Sequence, residues 1–247
     1  MADKEPINAT DIEWESVGRV AVIRIKGARL NIYRRHIHEK LCRAMLRFLR
    51  DDAFHVALLT SAAGQSWSAG DDIREFEEPF GDEPDWSEYL SLIPRDKPVI
   101  GAVRGHCLGQ GLGYLLRLTD LRLASPDAKF GFPEIKFGVG GAGEGSGLTR
   151  AMPQVRARYF ALTGEIIDAE TAAKTDLVNA IVPDDDLDRQ ALALAQKIAA
   201  HPLDALRAEV SPVARTIGGG NPHGQAALFS IYWQMYEAKL GGSPTKD

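Results

Sequence analysis

The chemistry open to this 247-residue chain gathers at two glycine turns. The longer turn runs from Pro98 to Gly113 and reads PVIGAVRGHCLGQGLG. Val99 to Val103 has the apolar run of a short strand. The chain then turns through Arg104-Gly105-His106, and Leu108-Gly109-Gln110-Gly111-Leu112-Gly113 leads into a helix at Tyr114-Leu115-Leu116. A strand, a glycine turn and a helix start make a concavity of backbone N–H groups at the positive end of a helix dipole, which stabilises a negatively charged oxygen. The same glycines also suit a turn that only lets helix and strand pack closely. The second turn, Trp67 to Phe76, reads WSAGDDIREF and repeats the pattern around Gly70. Asp71 and Asp72 fall where carboxylates favour a helix N-terminus, a capping role that needs no catalysis. Downstream lie Pro133-Glu134-Ile135 and a loop with six glycines in the ten residues 138–147 that also holds Glu144. Read as residues alone, each of the two glutamates fits an ordinary structural or solvated acid. His106 and Cys107 are neighbours on an extended segment. Their side chains therefore point to opposite faces and make no nucleophilic pair. His36 and His38 project from different faces of a helix, and no spacing in the chain suits a metal.

These residues need elements to position them. Residues 12–17 and 20–25 read as a hairpin about Gly18, and Lys26 to Asn31 as a loop carrying Arg29. Ile37, Leu41, Met45 and Leu49 recur every four residues, which predicts a helix from Ile32 to Arg50. Val56 to Thr60 is a buried strand, and residues 77–86 a surface loop. Further on come a strand over 120–124, a helix over 148–162, a helix capped by Asp168 and running to Lys174, and a strand over 178–182. From Leu187 the pattern is helical, broken at Gly218 to Pro222. Ala205, Leu206, Val210, Val213, Ile217, Leu228, Phe229, Tyr232 and Met235 give that stretch more apolar surface than a short appendage hides. Residues 187–240 are therefore expected to pack against another copy. Hydrophobic residues make up 45% of the chain and the net charge is −5, so no nucleic-acid partner is indicated. No apolar run is long enough to span a bilayer, and the N-terminal MADKEPINATD is not a secretory signal. Two cysteines fit a reducing, cytoplasmic setting.

The segments SAGDDI, PVIGAVRGHCLGQGLGYLLRLTDLRLAS, KFGFPEIKFGV with the glycine-rich loop and LTR behind it, and ALTGEIIDAETAAKTDLVNAIVP carry a resemblance. In this order and spacing, over roughly residues 12–210, they resemble the crotonase (enoyl-CoA hydratase/isomerase) superfamily. The resemblance implies a mixed α/β fold. Its core, residues 1–186 here, is a spiral of ββα units, and residues 187–247 form a helical trimerisation region. It implies an acyl-CoA thioester substrate and an enolate held by two backbone N–H groups. Carried onto this chain, those donors belong to Asp71 and Gln110, with Ala69, Gly70 and Gly109 lining the substrate. The Asp71 side chain is then expected to point away from the enolate or stay solvated. Hydratases of the family use two glutamates. One position is Gly113 here and the other is Glu134, while Glu144 lies where some relatives carry an acid. The expected chemistry is therefore single-glutamate double-bond isomerisation rather than hydration. A β-diketone C–C hydrolase or an acyl-CoA hydrolase is the alternative. A non-catalytic acyl-CoA-binding subunit is the reading from a different class. Arg29 falls where relatives contact the coenzyme A phosphates, though an exposed arginine is common enough without that role. Relatives also carry a further basic helix beyond the equivalent of Lys239, where this chain runs only to Asp247. No cofactor beyond the coenzyme A of the substrate, no metal and no membrane are implied, and the expected assembly is a homotrimer or a dimer of trimers.

Overall fold

The computed structural model describes residues 11–77, 85–138 and 145–210. Strands β1 (Asp11–Val17) and β2 (Val20–Lys26) pair antiparallel around Gly18, whose φ is +57°. Helix α1 (Arg35–Arg50) leads to β3 (Val56–Ser61), and after the Gly70 turn α2 (Trp86–Leu92) leads to β4 (Val99–Val103). Then follow β5 (His106–Leu108), α3 (Gln110–Leu118), β6 (Leu121–Ala124) and β7 (Lys129–Gly131). The described chain continues with α4 (Gly145–Ala151), α5 (Gln154–Thr163), β8 (Ile167–Asp168), α6 (Ala169–Lys174), β9 (Ala180–Ile181), α7 (Asp184–Ala199) and α8 (Leu203–Val210). One sheet has the order β1-β2-β3-β4-β6-β9, parallel except for the hairpin. A second has the order β5-β7-β8.

The large sheet is buried on both faces, which is why β2, β3 and β4 read as continuous apolar runs rather than alternating ones. Side chains still alternate with a period of two. Ala21, Ile23, Ile25, Ala57, Leu59, Val99 and Val103 pack in one core with Leu41 and Met45 of α1 and Leu112 and Leu115 of α3. Val20, Val22, Val56, Leu58, Ile100 and Ala102 face Leu187, Ala191 and Ala195 of α7. Each such aliphatic side chain contributes about 1.5–3 kcal/mol by leaving water. The strands β4 and β6 each hand the chain to a short strand of the second sheet after a few residues. The site lies where those hand-overs occur.

Four expectations shift. Helix α1 begins at Arg35, not Ile32, because Asn31 takes a left-handed φ of +45° and its buried amide donates to the Ser66 carbonyl at 2.7 Å. His106 opens β5 and is not part of the turn. The single helix over 148–162 is two, α4 and α5, because Pro153 has no N–H and stands at the N-cap of α5. Finally, the stretch from Leu187 does not wait for a second copy along its whole length. The apolar side of α7 and Leu206 of α8 is buried against the sheet of the same chain. The rest of that expectation falls on residues 211–247, outside the described residues.

An ion cluster fastens α7 to the sheet. The buried Arg104 guanidinium donates to Asp184 at 2.7 Å, to Asp188 at 3.1 Å and to the Ser61 carbonyl, while Arg24 reaches Asp188 at 2.9 Å. Arg104→Leu leaves two carboxylates and a buried carbonyl without this partner. Both carboxylates reach solvent, so the loss sits at the low end for a broken buried pair, about 3 kcal/mol, read as a lower urea midpoint at unchanged slope. Burial opposes the charge on Asp188, but Arg104 and Arg24 outweigh it and hold the carboxyl below its usual range. That share of stability is present above the unfolded pKa and fades as pH falls through the folded one. The gap between wild type and variant therefore narrows as the pH falls below the ordinary aspartate value of 3.8.

Candidate active site

The two glycine turns lie against each other. Trp67 N–H donates to the Arg104 carbonyl and Ser68 N–H to the His106 carbonyl, both at 2.8 Å, and Leu108 N–H donates back to Ser68 at 3.0 Å. This lays Ser68 alongside Cys107 of β5 in a single parallel bridge. Trp67, fully buried, donates its ring N–H to the Gly111 carbonyl at 2.9 Å, and a side chain at Gly111 would strike Ser68. From the other side, Tyr33 N–H donates to the Gly70 carbonyl at 2.9 Å and Asp72 N–H to the Tyr33 carbonyl at 2.8 Å. The peptide that carries the Asp71 N–H is thus strapped at both ends. Gly70 has a φ of +103°, and a Cβ on it would lie 3.7 Å from the Gln110 nitrogen, so the Gln110 amide sits beside that peptide.

Gly109, with φ +52° and ψ −127°, is the N-cap of α3 and offers no side chain to its first amides. The opening N–H groups of a helix have no acceptor within it, and Gln110 carries the first of them here. The Gly109 N–H itself is taken by the Gly131 carbonyl at 3.0 Å, which ties the turn to β7. Two residues past β7, Pro133 opens a 3-10 turn, Pro133–Phe137, closed by a left-handed Gly138. The turn packs on the C-terminal end of α5, where Ile135 and Lys136 lie against Gly164. Glu134 stands in its first half-turn, half-buried, with Oε2 3.6 Å from the point a Gly109 Cβ would occupy. Beside them Leu112, Phe130, Phe132, Leu148 and Met152 line an apolar cavity. The arrangement offers two amides and a carboxylate around one small region, which suits proton transfer next to a developing oxyanion.

The remaining candidates divide. Ala69 is half-buried, and its N–H goes to the Leu30 carbonyl at 2.9 Å. Arg29 is exposed on the loop before Asn31, its carbonyl accepting the Ser66 N–H. Gly113 is buried on α3, with no carboxylate to offer. Glu144 lies outside the described residues. Asp72 is a structural acid: Arg74 and Arg34 hydrogen-bond it and hold its carboxyl at about 2. Cys107 is fully buried, and burial pushes its thiol well up, while His106 reaches Ser66 Oγ at 3.2 Å. The Asp71 carboxylate turns to His38, with Oδ1 3.4 Å from Nε2. His38, Tyr114 and Tyr33 form an aromatic cluster there that the sequence reading passed over. Its signal was available: His38 shares the buried face of α1 with Leu41, Cys42 and Met45, and Tyr114 stands one helical turn beyond Gln110.

The enoyl-CoA hydratase/isomerase family model matches residues 15–227. A probable enoyl-CoA hydratase of Rhizobium meliloti is 33% identical over 209 residues, 82% of this chain and 80% of that protein. The (E)-benzylidenesuccinyl-CoA hydratase of Thauera aromatica is 35% identical over 197 residues, 76% of this chain and 75% of that one. The crystal structure of an enoyl-CoA hydratase from Mycobacterium marinum superposes with a TM-score of 0.81 at 30% identity, covering 93% of each chain.

Proposed function

The chain belongs to the enoyl-CoA hydratase/isomerase family and is an enzyme of it, and from that premise we propose that it shifts a double bond in an acyl-CoA thioester with Glu134 as its acid/base residue. Glu134 takes a proton from C2 of a 3-enoyl thioester. The electron pair conjugates into the carbonyl, whose oxygen becomes an oxyanion between the N–H groups of Asp71 and Gln110. The Glu134 carboxyl then returns a proton to C4, which leaves the double bond between C2 and C3. Each preorganised amide is worth about 2.7–4 kcal/mol at such an oxygen. Coenzyme A enters as part of the substrate, the exposed Arg29 being the candidate contact for its phosphates, and no separate cofactor takes part.

The observation that carries this reading is the pairing of Glu134, whose Oε2 lies 3.6 Å from where a Gly109 Cβ would stand, with a buried Gly113 where a hydratase of the family keeps its other carboxylate. Water addition needs a group to activate the water and another to protonate carbon; among the described residues Glu134 is the carboxylate beside the Gly109 turn, while Asp71 turns to His38 and Glu165, at the border of the apolar cavity, accepts from the Tyr159 hydroxyl. A second reading, hydration, has in its favour that the relatives cited above carry the names of hydratases. It requires Glu144 as the other carboxylate. Wild type, Glu134→Gln and Glu144→Gln assayed with crotonyl-CoA and with a 3-enoyl-CoA separate the two. The expected result is isomerisation faster than hydration, abolished in Glu134→Gln and largely kept in Glu144→Gln. Faster hydration, lost in both variants, overturns the single-glutamate reading.

A further inference from the structure

The aromatic cluster behind the two turns contains a run of polar contacts that starts at one proposed oxyanion donor residue and ends at the other. The Gln110 side chain, one helical turn before Tyr114, acts on the Tyr114 hydroxyl and opposes the rise that burial gives it. That hydroxyl lies 2.6 Å from His38 Nδ1, and His38 Nε2 faces Asp71 Oδ1 at 3.4 Å. The direction of the run follows from what each group can do. An ionised carboxylate only accepts, so the ring proton belongs on Nε2. Nδ1 is then an acceptor, and the Tyr114 hydroxyl spends its one proton on it. The tyrosine oxygen is left to accept from the Gln110 amide. Each donor thus faces an acceptor along the run, the His38–Asp71 step being a 3.4 Å approach of ring N–H and carboxylate rather than a closed hydrogen bond. This requires a neutral imidazole, and burial lowers His38 to about 4, against the upward pull of Asp85. Tyr33 and Tyr114, both fully buried, close the cluster with ring centroids 5.4 Å apart.

We propose that the His38–Tyr114 pair is a positioning unit for the oxyanion hole, fixing the two amides relative to each other through the side chains of Asp71 and Gln110 and drawing the Asp71 carboxylate away from the enolate. The proposal rests on the two-amide reading of the site given above. It also accounts for an acidic side chain on a residue whose amide must stabilise negative charge. An ionised carboxylate oriented towards the enolate would oppose that charge in a low-dielectric site. Oriented towards Nε2–H, it anchors the Asp71 peptide instead.

The test uses a chromophoric thioester, 4-(dimethylamino)cinnamoyl-CoA, whose absorption moves to longer wavelength when its carbonyl is polarised. Bound to wild type it is expected to show a red shift. Tyr114→Phe and Asp71→Leu should each lose at least half of that shift, with kcat on the enoyl substrate falling about tenfold and KM changing less than twofold. Asp71→Asn keeps an acceptor for Nε2–H and should retain the shift. Should Tyr114→Phe fold poorly, Gln110→Leu, on a half-buried position, carries the same expectation. Full shift and full kcat in Tyr114→Phe, or in Gln110→Leu in its stead, together with Asp71→Leu, overturn the positioning role while leaving the hole intact. A wild type that binds the probe with no shift overturns the two-amide reading and this proposal with it.

Discussion

Glu134→Gln lowers turnover on an acyl-CoA substrate by about 10²–10⁴-fold, the range that a positioned proton-transfer group contributes. Glutamine keeps the shape and most of the hydrogen bonding of glutamate but takes up no proton. The backbone at this position is set by others: Pro133 fixes the entry to the 3-10 turn, left-handed Gly138 closes it, and Ile135 and Lys136 pack on Gly164 at the end of α5. The variant should therefore melt within a degree or two of wild type. The two amides do not involve the Glu134 side chain, so the thioester still binds and KM changes little. A loss confined to kcat is what removal of an interaction made on the way to the transition state looks like. Steady-state rates on the preferred enoyl-CoA, with a melting curve alongside, read this directly. An unchanged kcat would remove Glu134 from the chemistry.

What was legible in the sequence was local. The Val99 to Val103 strand, both glycine turns, the hairpin at Gly18 and the Asp168 cap, which accepts the Thr171 N–H at 2.9 Å, each follow from a few adjacent residues. Their physics, positive φ at glycine and side-chain capping, acts within one turn of chain. The start of α1 was not legible, because what stops the helix is Asn31 reaching Ser66, 35 residues on. The His38–Tyr114 contact spans 76 residues, and two buried polar side chains find each other only once the sheet has brought α1 over α3. The break at Pro153 was legible and was passed over, because apolar residues on either side keep a helical spacing across it. The apolar residues from Leu187 onward were assigned to another copy for a similar reason. Hydrophobic pattern says that a face is covered, and it does not say by what. Here the sheet of the same chain covers α7.

Gly109→Val should cost about 10²–10³-fold in kcat, the loss expected when one oxyanion donor is misplaced. Crowding is not the first cause. A Cβ at this position would lie 3.6 Å from Glu134 Oε2 and 3.9 Å from the Gly70 Cα, which is ordinary contact. The backbone is the cause, since φ +52° with ψ −127° is a conformation that a β-branched residue avoids. The strain, about 1–3 kcal/mol, is relieved by rotating the peptide that leads into Gln110, and that peptide carries the amide in question. Whatever rotation remains brings the valine methyls between Glu134 and Gly70, where the thioester carbonyl has to enter. Gly109→Ala should lie between wild type and valine, because it carries the backbone strain without the methyls. Gly18→Ala is the control. It has a similar φ of +57° and open space around its Cβ, but sits in the β1–β2 hairpin. It should lose about 1 kcal/mol of stability and no activity. A Gly109→Val enzyme with wild-type kcat would show that the Gln110 amide does not hold the oxyanion. A Gly18→Ala enzyme that lost activity as Gly109→Val did would show that strain alone, wherever it is introduced, accounts for the effect.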